Sequence, residues 1–126
     1  MATVRHDGAS IAYRVDGPPS APALLLANSL GTTTAMWDDQ VDALAQRFLV
    51  VRFDHRGHGE STATKGPYTL ELLGRDALAV LDDLGIDTAS ICGLSIGGAV
   101  AMWVAANAPA RVERLVVCCS APRFGP

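Results

Sequence analysis

The order of apolar and polar positions divides the chain into short strand-like runs separated by longer helical patterns. Short, uninterrupted apolar runs bounded by turn residues are typical of strands buried on both faces of a parallel sheet. Ahead of them, two stretches flank Asp7-Gly8, a dipeptide that favours a hairpin turn. The predicted strands are Val4–His6 and Ile11–Val15 in the hairpin, then Ala23–Ala27, Leu49–Phe53, Ile91–Leu94 and Val112–Cys119.

Apolar residues spaced by three and four positions predict helices between the later strands. The second helix begins after Thr69, which can cap it, and stops at Gly85; the third is Ala-rich and ends before Pro109. Strands that alternate with helices form a parallel sheet with right-handed crossovers and helices on both faces. The sequence therefore predicts one α/β domain over residues 1–126, mostly parallel, with an antiparallel hairpin at its N-terminus. The apolar positions of the first helix are Trp37, Val41, Leu44 and Phe48.

The most informative stretch runs from Ile91 to Gly98, where an apolar run ends in Gly-x-Ser-x-Gly directly before a helical pattern. In a nucleophile elbow the serine lies at the tip of a strained turn, and a Cβ two positions before or after it would clash. Gly93 and Gly97 occupy these positions around Ser95. Such a turn also directs the first helical amides and the helix dipole at the same space. Ser95 is therefore the predicted nucleophile; a glycine-rich turn without chemistry is the alternative.

Composition narrows the classes of protein. A hydrophobic content of 49% in 126 residues is enough for a core, and a net charge of −3 provides no basic surface for nucleic acid. No apolar run approaches the ~18 residues needed to span a bilayer, and Met1 to Gly8 lacks the apolar segment of a signal peptide. We therefore expect a soluble cytoplasmic protein without nucleic-acid or membrane partners.

The cysteines and histidines indicate neither a disulfide framework nor a metal site. The three cysteines lie in apolar strand-like runs, as buried reduced thiols do. The three histidines lie far from them in sequence and show no ligand spacing. We expect no metal and no cofactor. The residues considered are Cys92, Cys118, Cys119, His6, His55 and His58.

Four segments carry a pattern shared with known proteins. They are Asn28-Ser29-Leu30-Gly31-Thr32 with Met36-Trp37, Asp54-His55-Arg56-Gly57-His58-Gly59-Glu60-Ser61, Gly93-Leu94-Ser95-Ile96-Gly97-Gly98 and Arg111–Val116. Together they resemble the α/β-hydrolase superfamily, and within it the 3-oxoadipate enol-lactonases. The resemblance implies hydrolysis of an ester or lactone through an acyl-enzyme on Ser95, with the backbone N–H groups of Leu30 and Ile96 as oxyanion hole. Ser29 and Arg123 are candidate substrate-binding residues, although an ordinary solvated arginine is the alternative for Arg123.

The resemblance also bears on the polar loop after the fourth predicted strand. In this fold the triad runs Ser, then Asp or Glu, then His, so neither His55 nor His58 is expected to be the general base. Asp54 and Arg56 are expected to shape the loop by hydrogen bonding.

The chain departs from this family in one respect. After Ser95 it contains no histidine and no aspartate, and its only carboxylate side chain is that of Glu113, near the start of a predicted strand. Family members run to roughly twice this length and carry a cap, the acid and the histidine later in the chain, so we expect an N-terminal half. Three explanations are open: a truncated product of a larger hydrolase, one half of a split enzyme, or a catalytically inactive binding or scaffold domain.

The last predicted strand suggests association. A parallel sheet that stops at Leu115 to Cys119 exposes an apolar edge, and such an edge usually pairs or aggregates. We therefore expect a homo-oligomer or a complex with a complementary chain, with Leu115 and Val117 buried at the contact.

Overall fold

A computed structural model describes residues 1–123 of the chain, in which six strands form one sheet. The strands are β1 (Ala2–His6), β2 (Ala9–Asp16), β3 (Ala23–Ala27), β4 (Leu49–Phe53), β5 (Ala89–Leu94) and β6 (Val112–Cys118). The α-helices of the same residues are α1 (Asp38–Leu44), α2 (Leu70–Asp83) and α3 (Ile96–Asn107), with short 3₁₀ turns at Thr34–Trp37 and Pro109–Arg111. None of these helices has the length and apolar character needed to cross a membrane.

The strands lie in the order β1-β2-β4-β3-β5-β6. β1 and β2 form an antiparallel hairpin, with Asp7 and Gly8 at positive φ in its turn. β2 is also antiparallel to β4, and every later pair is parallel. This mixed, mostly parallel sheet confirms the predicted α/β fold. Because β3 to β6 are parallel, their carboxyl ends meet at one edge, where chemistry is found in open α/β sheets.

The helices cover both faces of the sheet, as predicted. The leucines of β3 pack on both faces of the sheet, because successive side chains of a strand point to opposite sides. Leu25 packs in the larger core, with Val104 of α3. Leu24 and Leu26 belong to the smaller cluster on the α1 side, against which Trp37 packs.

Two predicted boundaries differ from the structure. α1 ends at Leu44, and the chain continues in turns in which the amides of Arg47 and Phe48 donate to the Leu44 carbonyl at 3.0 and 2.9 Å. These turns keep the predicted spacing, so Phe48 still packs on the α1-side cluster. β6 ends at Cys118, and Cys119 turns away with φ 50° and is exposed. The prediction that all three cysteines are buried is therefore wrong for Cys119, and Cys92 and Cys118 are only half-buried; all three thiols are free.

β6 is the last strand of the sheet within residues 1–123, and its apolar side chains are open to solvent as predicted. Leu115, Val116 and Val117 are 39%, 53% and 36% exposed. On the α1 face a groove of about 530 Å³ continues from this edge, and Trp37 and Phe48 line it together with Val116. On its other face β6 packs against α3, where Gly98 lies close to the side chain of Val117.

Candidate active site

Ser95 lies at the tip of the turn between β5 and α3. Its backbone has φ 56° and ψ −118°, a conformation that residues with a Cβ rarely adopt and that is common at functional turns. The flanking glycines are required by close approaches: a Cβ at Gly93 would overlap the backbone of Gly97, and a Cβ at Gly97 would overlap the carbonyl of Ala27. The elbow therefore packs directly against the carboxyl end of β3.

Both backbone groups of Ser95 are held by residues at the end of β6. The Ser95 N–H donates to the carbonyl oxygen of Cys118 at 2.9 Å, and the Ser120 hydroxyl donates to the Ser95 carbonyl oxygen at 2.6 Å. That carbonyl also accepts from the amides of Gly98 at 2.9 Å and Ala99 at 3.2 Å. These bonds stabilise the strained backbone. Sequence reasoning missed the contact between Ser120 and Ser95.

The amide of Ile96 is the first of α3, where helix N–H groups lack an intrahelical acceptor. The amides of Gly98 and Ala99 are already bonded to Ser95, whereas that of Ile96 donates to no acceptor within residues 1–123. The α3 dipole adds a partial positive charge at this end of the helix. The turn can therefore stabilise a negative oxygen placed beside Ser95.

Leu30 lies in the loop after β3, which is in contact with the start of α3. A Cβ at Gly97 would overlap the carbonyl of Asn28 as well as that of β3. The Leu30 side chain is 72% exposed, and in the described part of the chain its amide donates to no acceptor. The unbonded amides of Leu30 and Ile96 thus lie on neighbouring segments at the carboxyl edge of the sheet.

Asn28 anchors this loop and is fully buried. Its side-chain amide donates to the carbonyl of Phe53 at 2.8 Å, and its Oδ1 accepts from Nε1 of Trp37 at 2.7 Å. Its backbone carbonyl accepts from Nε2 of His55 at 2.9 Å. The base of the loop is therefore tied to both β4 and the segment before α1.

The two candidate substrate-binding residues lie in different surroundings. Ser29 is half-buried, and its hydroxyl faces Oγ1 of Thr32 at 3.4 Å and Sδ of Met36 at 3.8 Å, within its own loop. Arg123 is exposed a few residues beyond β6. No hydrogen bond within residues 1–123 joins either side chain to Ser95.

Asp54 shapes the loop after β4 and is buried. Its Oδ1 accepts from the amide of Thr34 at 2.9 Å, and its Oδ2 accepts from the amide of Glu60 at 3.0 Å. Gly59 has φ 48° and lies so close that a Cβ there would overlap this carboxylate. Both carboxylate oxygens of Asp54 therefore hold the loop in place, as the sequence predicts.

Arg56 joins this loop to the hairpin and to α2. It donates to both carboxylate oxygens of Asp76, at 3.0 and 2.7 Å, and to the carbonyls of His6 and Asp7 at 3.0 and 2.9 Å. Hydrogen bonding to Asp76 raises the pKa of Arg56. Sequence reasoning missed Asp76. In the sequence, Asp76 could have been recognised as a carboxylate that lies at helical spacing among the apolar residues of α2.

The two loop histidines are engaged elsewhere. His55 is buried, and its Nε2 is bonded to the carbonyl of Asn28. Desolvation by burial lowers the pKa of its imidazole to about 4. Nε2 of His58 accepts from the amide of Gly31 at 2.9 Å, while its Nδ1 faces the carbonyl of Arg56 at 3.2 Å. Among the described residues, neither imidazole is hydrogen-bonded to Ser95.

The remaining ionisable side chains add no base to the elbow. Glu113 is exposed near the start of β6 and lines the α1-side groove, away from the carboxyl edge. Residues 1–123 contain no group of three or more His, Cys, Asp or Glu side chains that could hold a metal ion. Burial raises the pKa of the Cys92 thiol, which also lines the groove. The described residues thus form a serine elbow beside the unbonded amides of Leu30 and Ile96, and none of them bonds to Ser95 as a general base.

A mostly parallel sheet with a serine elbow at its carboxyl edge is typical of hydrolases. Comparison with known proteins gives the same class. The profile described as alpha/beta hydrolase fold matches residues 22–126, so the chain belongs to the alpha/beta hydrolase family, as its motifs predicted. It is 41% identical to 3-oxoadipate enol-lactonase 1 of Acinetobacter baylyi, over 98% of this chain and 46% of that protein.

Solved structures give the same result. A hydrolase from Pseudomonas aeruginosa superposes with a TM-score of 0.97 at 49% identity, over 99% of this chain and 48% of that one. The enol-lactonase from Burkholderia xenovorans superposes with a TM-score of 0.95 at 45% identity, over 98% and 48%. The chain thus spans about half the length of the relatives it matches.

Proposed function

We propose that this chain carries the nucleophile and the oxyanion hole of a serine hydrolase that acts on small carboxylic esters or lactones, with a 3-oxoadipate enol-lactone as the substrate. The observation that carries the proposal is the strained backbone of Ser95, held on both sides and followed by the unbonded amide of Ile96. The enol-lactonase names of relatives at 41% and 45% identity support the substrate class.

In this reaction Oγ of Ser95 attacks the carbonyl carbon, a general base takes the hydroxyl proton, and the carbonyl oxygen becomes negatively charged. The amides of Leu30 and Ile96 donate to that oxygen, and each such donor is typically worth about 3 kcal/mol of barrier. The bond to the leaving oxygen then breaks, the base returns the proton to it, and an acyl-enzyme remains. Water, deprotonated by the same base, attacks the acyl carbon and releases the acid, and the proton returns to Ser95.

We place the general base outside these 126 residues. The nitrogens of His58 and Nε2 of His55 are engaged with backbone groups, and burial keeps His55 neutral. A serine without a base is a weak nucleophile, because its hydroxyl is almost wholly protonated at neutral pH. In this proposal residues 1–126 are the N-terminal part of one hydrolase domain. A complementary polypeptide or a second copy covers the β6 edge, and Ser29 and Arg123 stay predictions for substrate binding.

The test is the rate at which an alkyl fluorophosphonate labels Ser95, followed by intact mass. The isolated chain is compared with the complemented protein, in which this chain is joined to the part of the Burkholderia xenovorans enol-lactonase that it does not match. We expect labelling about 100-fold faster or more in the complemented protein, since a general base typically contributes 10² to 10⁴-fold.

Two serine variants give matched controls. Ser95→Ala should abolish labelling. Ser90→Ala, in β5 but lining the α1-side groove, should leave labelling intact. Equal rates for the two forms would contradict the proposal that the base lies outside this chain. A folded complemented protein that is not labelled would refute Ser95 as the nucleophile.

A second candidate is a catalytically inactive binding or scaffold domain, which the absence of a general base among the described residues favours. The two functions differ in turnover. Hydrolysis of a small activated ester and of a lactone by the complemented protein, lost in Ser95→Ala, supports the enzyme. Saturable binding without product supports the binding domain.

A further inference from the structure

Two histidines from the loop after β4 hold the loop that carries Leu30. On one side of Leu30, the carbonyl of Asn28 accepts from Nε2 of His55 at 2.9 Å. On the other side, the amide of Gly31 donates to Nε2 of His58 at 2.9 Å. The peptide groups that flank the Leu30 amide are therefore each bonded to an imidazole, and neither imidazole takes part in the reaction proposed above.

We propose that His58 is a positioning residue for the Leu30 amide and acts as a neutral imidazole protonated on Nδ1. This rests on the proposed function, in which that amide stabilises the oxyanion. The Gly31 amide can only donate, so Nε2 of His58 presents its lone pair. Nδ1 lies 3.2 Å from the Arg56 carbonyl, which can only accept, so Nδ1 carries the proton. His55 requires the opposite tautomer, because its Nε2 donates to a carbonyl.

Within the loop, the Thr32 hydroxyl donates to the carbonyl of Ser29 at 2.7 Å, and this carbonyl belongs to the same peptide group as the Leu30 amide. Gly31 has φ 74°, and a Cβ built on it would meet nothing within 4 Å, so packing does not fix its position. The Leu30 side chain is exposed, and the buried bonds of the loop are concentrated at Asn28. The hydrogen bond to His58 therefore ties the peptide after Leu30 to the loop after β4, whereas Thr32 restrains the peptide before it from within the same loop. Because an oxyanion forms only in the transition state, its loss should lower kcat rather than raise KM.

The first experiment reads the tautomer directly. Two-bond ¹H–¹⁵N correlation spectra of the imidazoles are recorded on the complemented protein, and His58 is assigned by the signal that a His58 variant lacks. We expect the unprotonated nitrogen to be Nε2 in His58 and Nδ1 in His55. Protonation of His58 on Nε2 would overturn the proposal, since that nitrogen could not accept from Gly31.

The second experiment uses His58→Gln and His58→Asn as a matched pair. The Gln carbonyl reaches the position of Nε2 and keeps an acceptor for Gly31, whereas Asn reaches only the position of Nδ1. We expect His58→Asn to speed hydrogen exchange of the Gly31 amide about fivefold, the usual worth of one hydrogen bond. It should also lower kcat about 10- to 100-fold with little change in KM, as displacement of a catalytic group does.

His58→Gln should restore both quantities towards the parent values. Equal losses in the two variants would show that the acceptor at Nε2 has no role and would overturn the proposal. Failure of the proposed function is recognised separately, because it appears as absent labelling of Ser95 while the tautomer and the Gly31 exchange still report on His58.

Discussion

Acidification should destabilise the fold through the imidazole of His55. This side chain is 2% exposed, its Nε2 donates to the carbonyl of Asn28, and its Nδ1 has no partner within residues 1–123. A proton added at Nδ1 would create a buried charge without an acceptor. Desolvation therefore lowers the pKa of His55 from 6.5 to about 4, even though the bond to Asn28 acts in the opposite direction.

The sign of the effect follows from which state binds the proton. The unfolded chain protonates His55 at a higher pH than the folded chain, so the stability that the neutral form contributes is fully present above the unfolded pKa of 6.5 and is lost as the pH falls towards about 4. In this window the free energy of unfolding should fall by up to about 1.4 kcal/mol per pH unit. The loss between pH 7 and pH 5 is about 2 kcal/mol, a large fraction of the stability of a small domain.

The assay is urea unfolding of the full chain from pH 7 to pH 5, followed by the fluorescence of Trp37 and Trp103. The control is His55→Gln, whose side-chain amide can donate to the same carbonyl from near the Nε2 position but does not titrate. The difference in stability between the parent chain and the variant should change by about 2 kcal/mol over this range, because all other titrating groups are shared. Parallel pH profiles for the two proteins would refute the reasoning.

Two further substitutions test the packing that supports the site. Gly74→Ala should destabilise the chain by about 1 kcal/mol, because overlap of the new Cβ with the Trp103 ring outweighs the gain in helix propensity; in a Trp103→Leu background, urea unfolding should show stabilisation. Arg56→Met leaves the buried Asp76 without its guanidinium and should cost about 3–5 kcal/mol by the same measurement, whereas adding Asp76→Leu should recover much of the loss.

The bounds of strands and helices could be predicted closely where the residues that determine them lie nearby in the sequence. The apolar runs Ala23–Ala27 and Leu49–Phe53 are strands with those same bounds, because turn residues enclose them. Thr69 caps α2 by accepting from the Leu72 amide at 3.1 Å, and Gly85 ends the helix region with φ 67°. In each case the residues that determine the element lie within a few positions of it.

Gly74 shows where local reasoning fails in the fold. Its lack of a side chain weakens a helix by propensity alone, and nothing near it in the sequence suggests a benefit. In the structure the indole of Trp103 occupies the space of the missing Cβ, so α2 and α3 approach closely at this point. That benefit depends on a residue in another helix, which periodicity cannot identify.

The same distinction holds at the candidate site. The glycine spacing around Ser95 is local, and it predicted the strand, the turn and the helix that the structure shows. The contacts of His55 and His58 with the loop after β3 join segments far apart in the chain. The sequence identified their loop and its place at a strand end, but not the carbonyl or amide that each imidazole meets.

In the proposed function, positioning of the reacting groups and proton transfer depend on different parts of the protein. The contacts that position Ser95 and the amides proposed as the oxyanion hole come from within this chain: Cys118 and Ser120 bond to the backbone of Ser95, β3 packs against Gly97, and His58 bonds to the amide beside Leu30. In contrast, no described residue in the range 1–123 is placed to take the proton from the Ser95 hydroxyl. Oxyanion stabilisation and binding alone typically retain an acceleration of about 10³ to 10⁴-fold when a triad is removed. Under the proposed function, a base from outside these residues needs only to reach the hydroxyl of Ser95, because the backbone of that serine is already held in place.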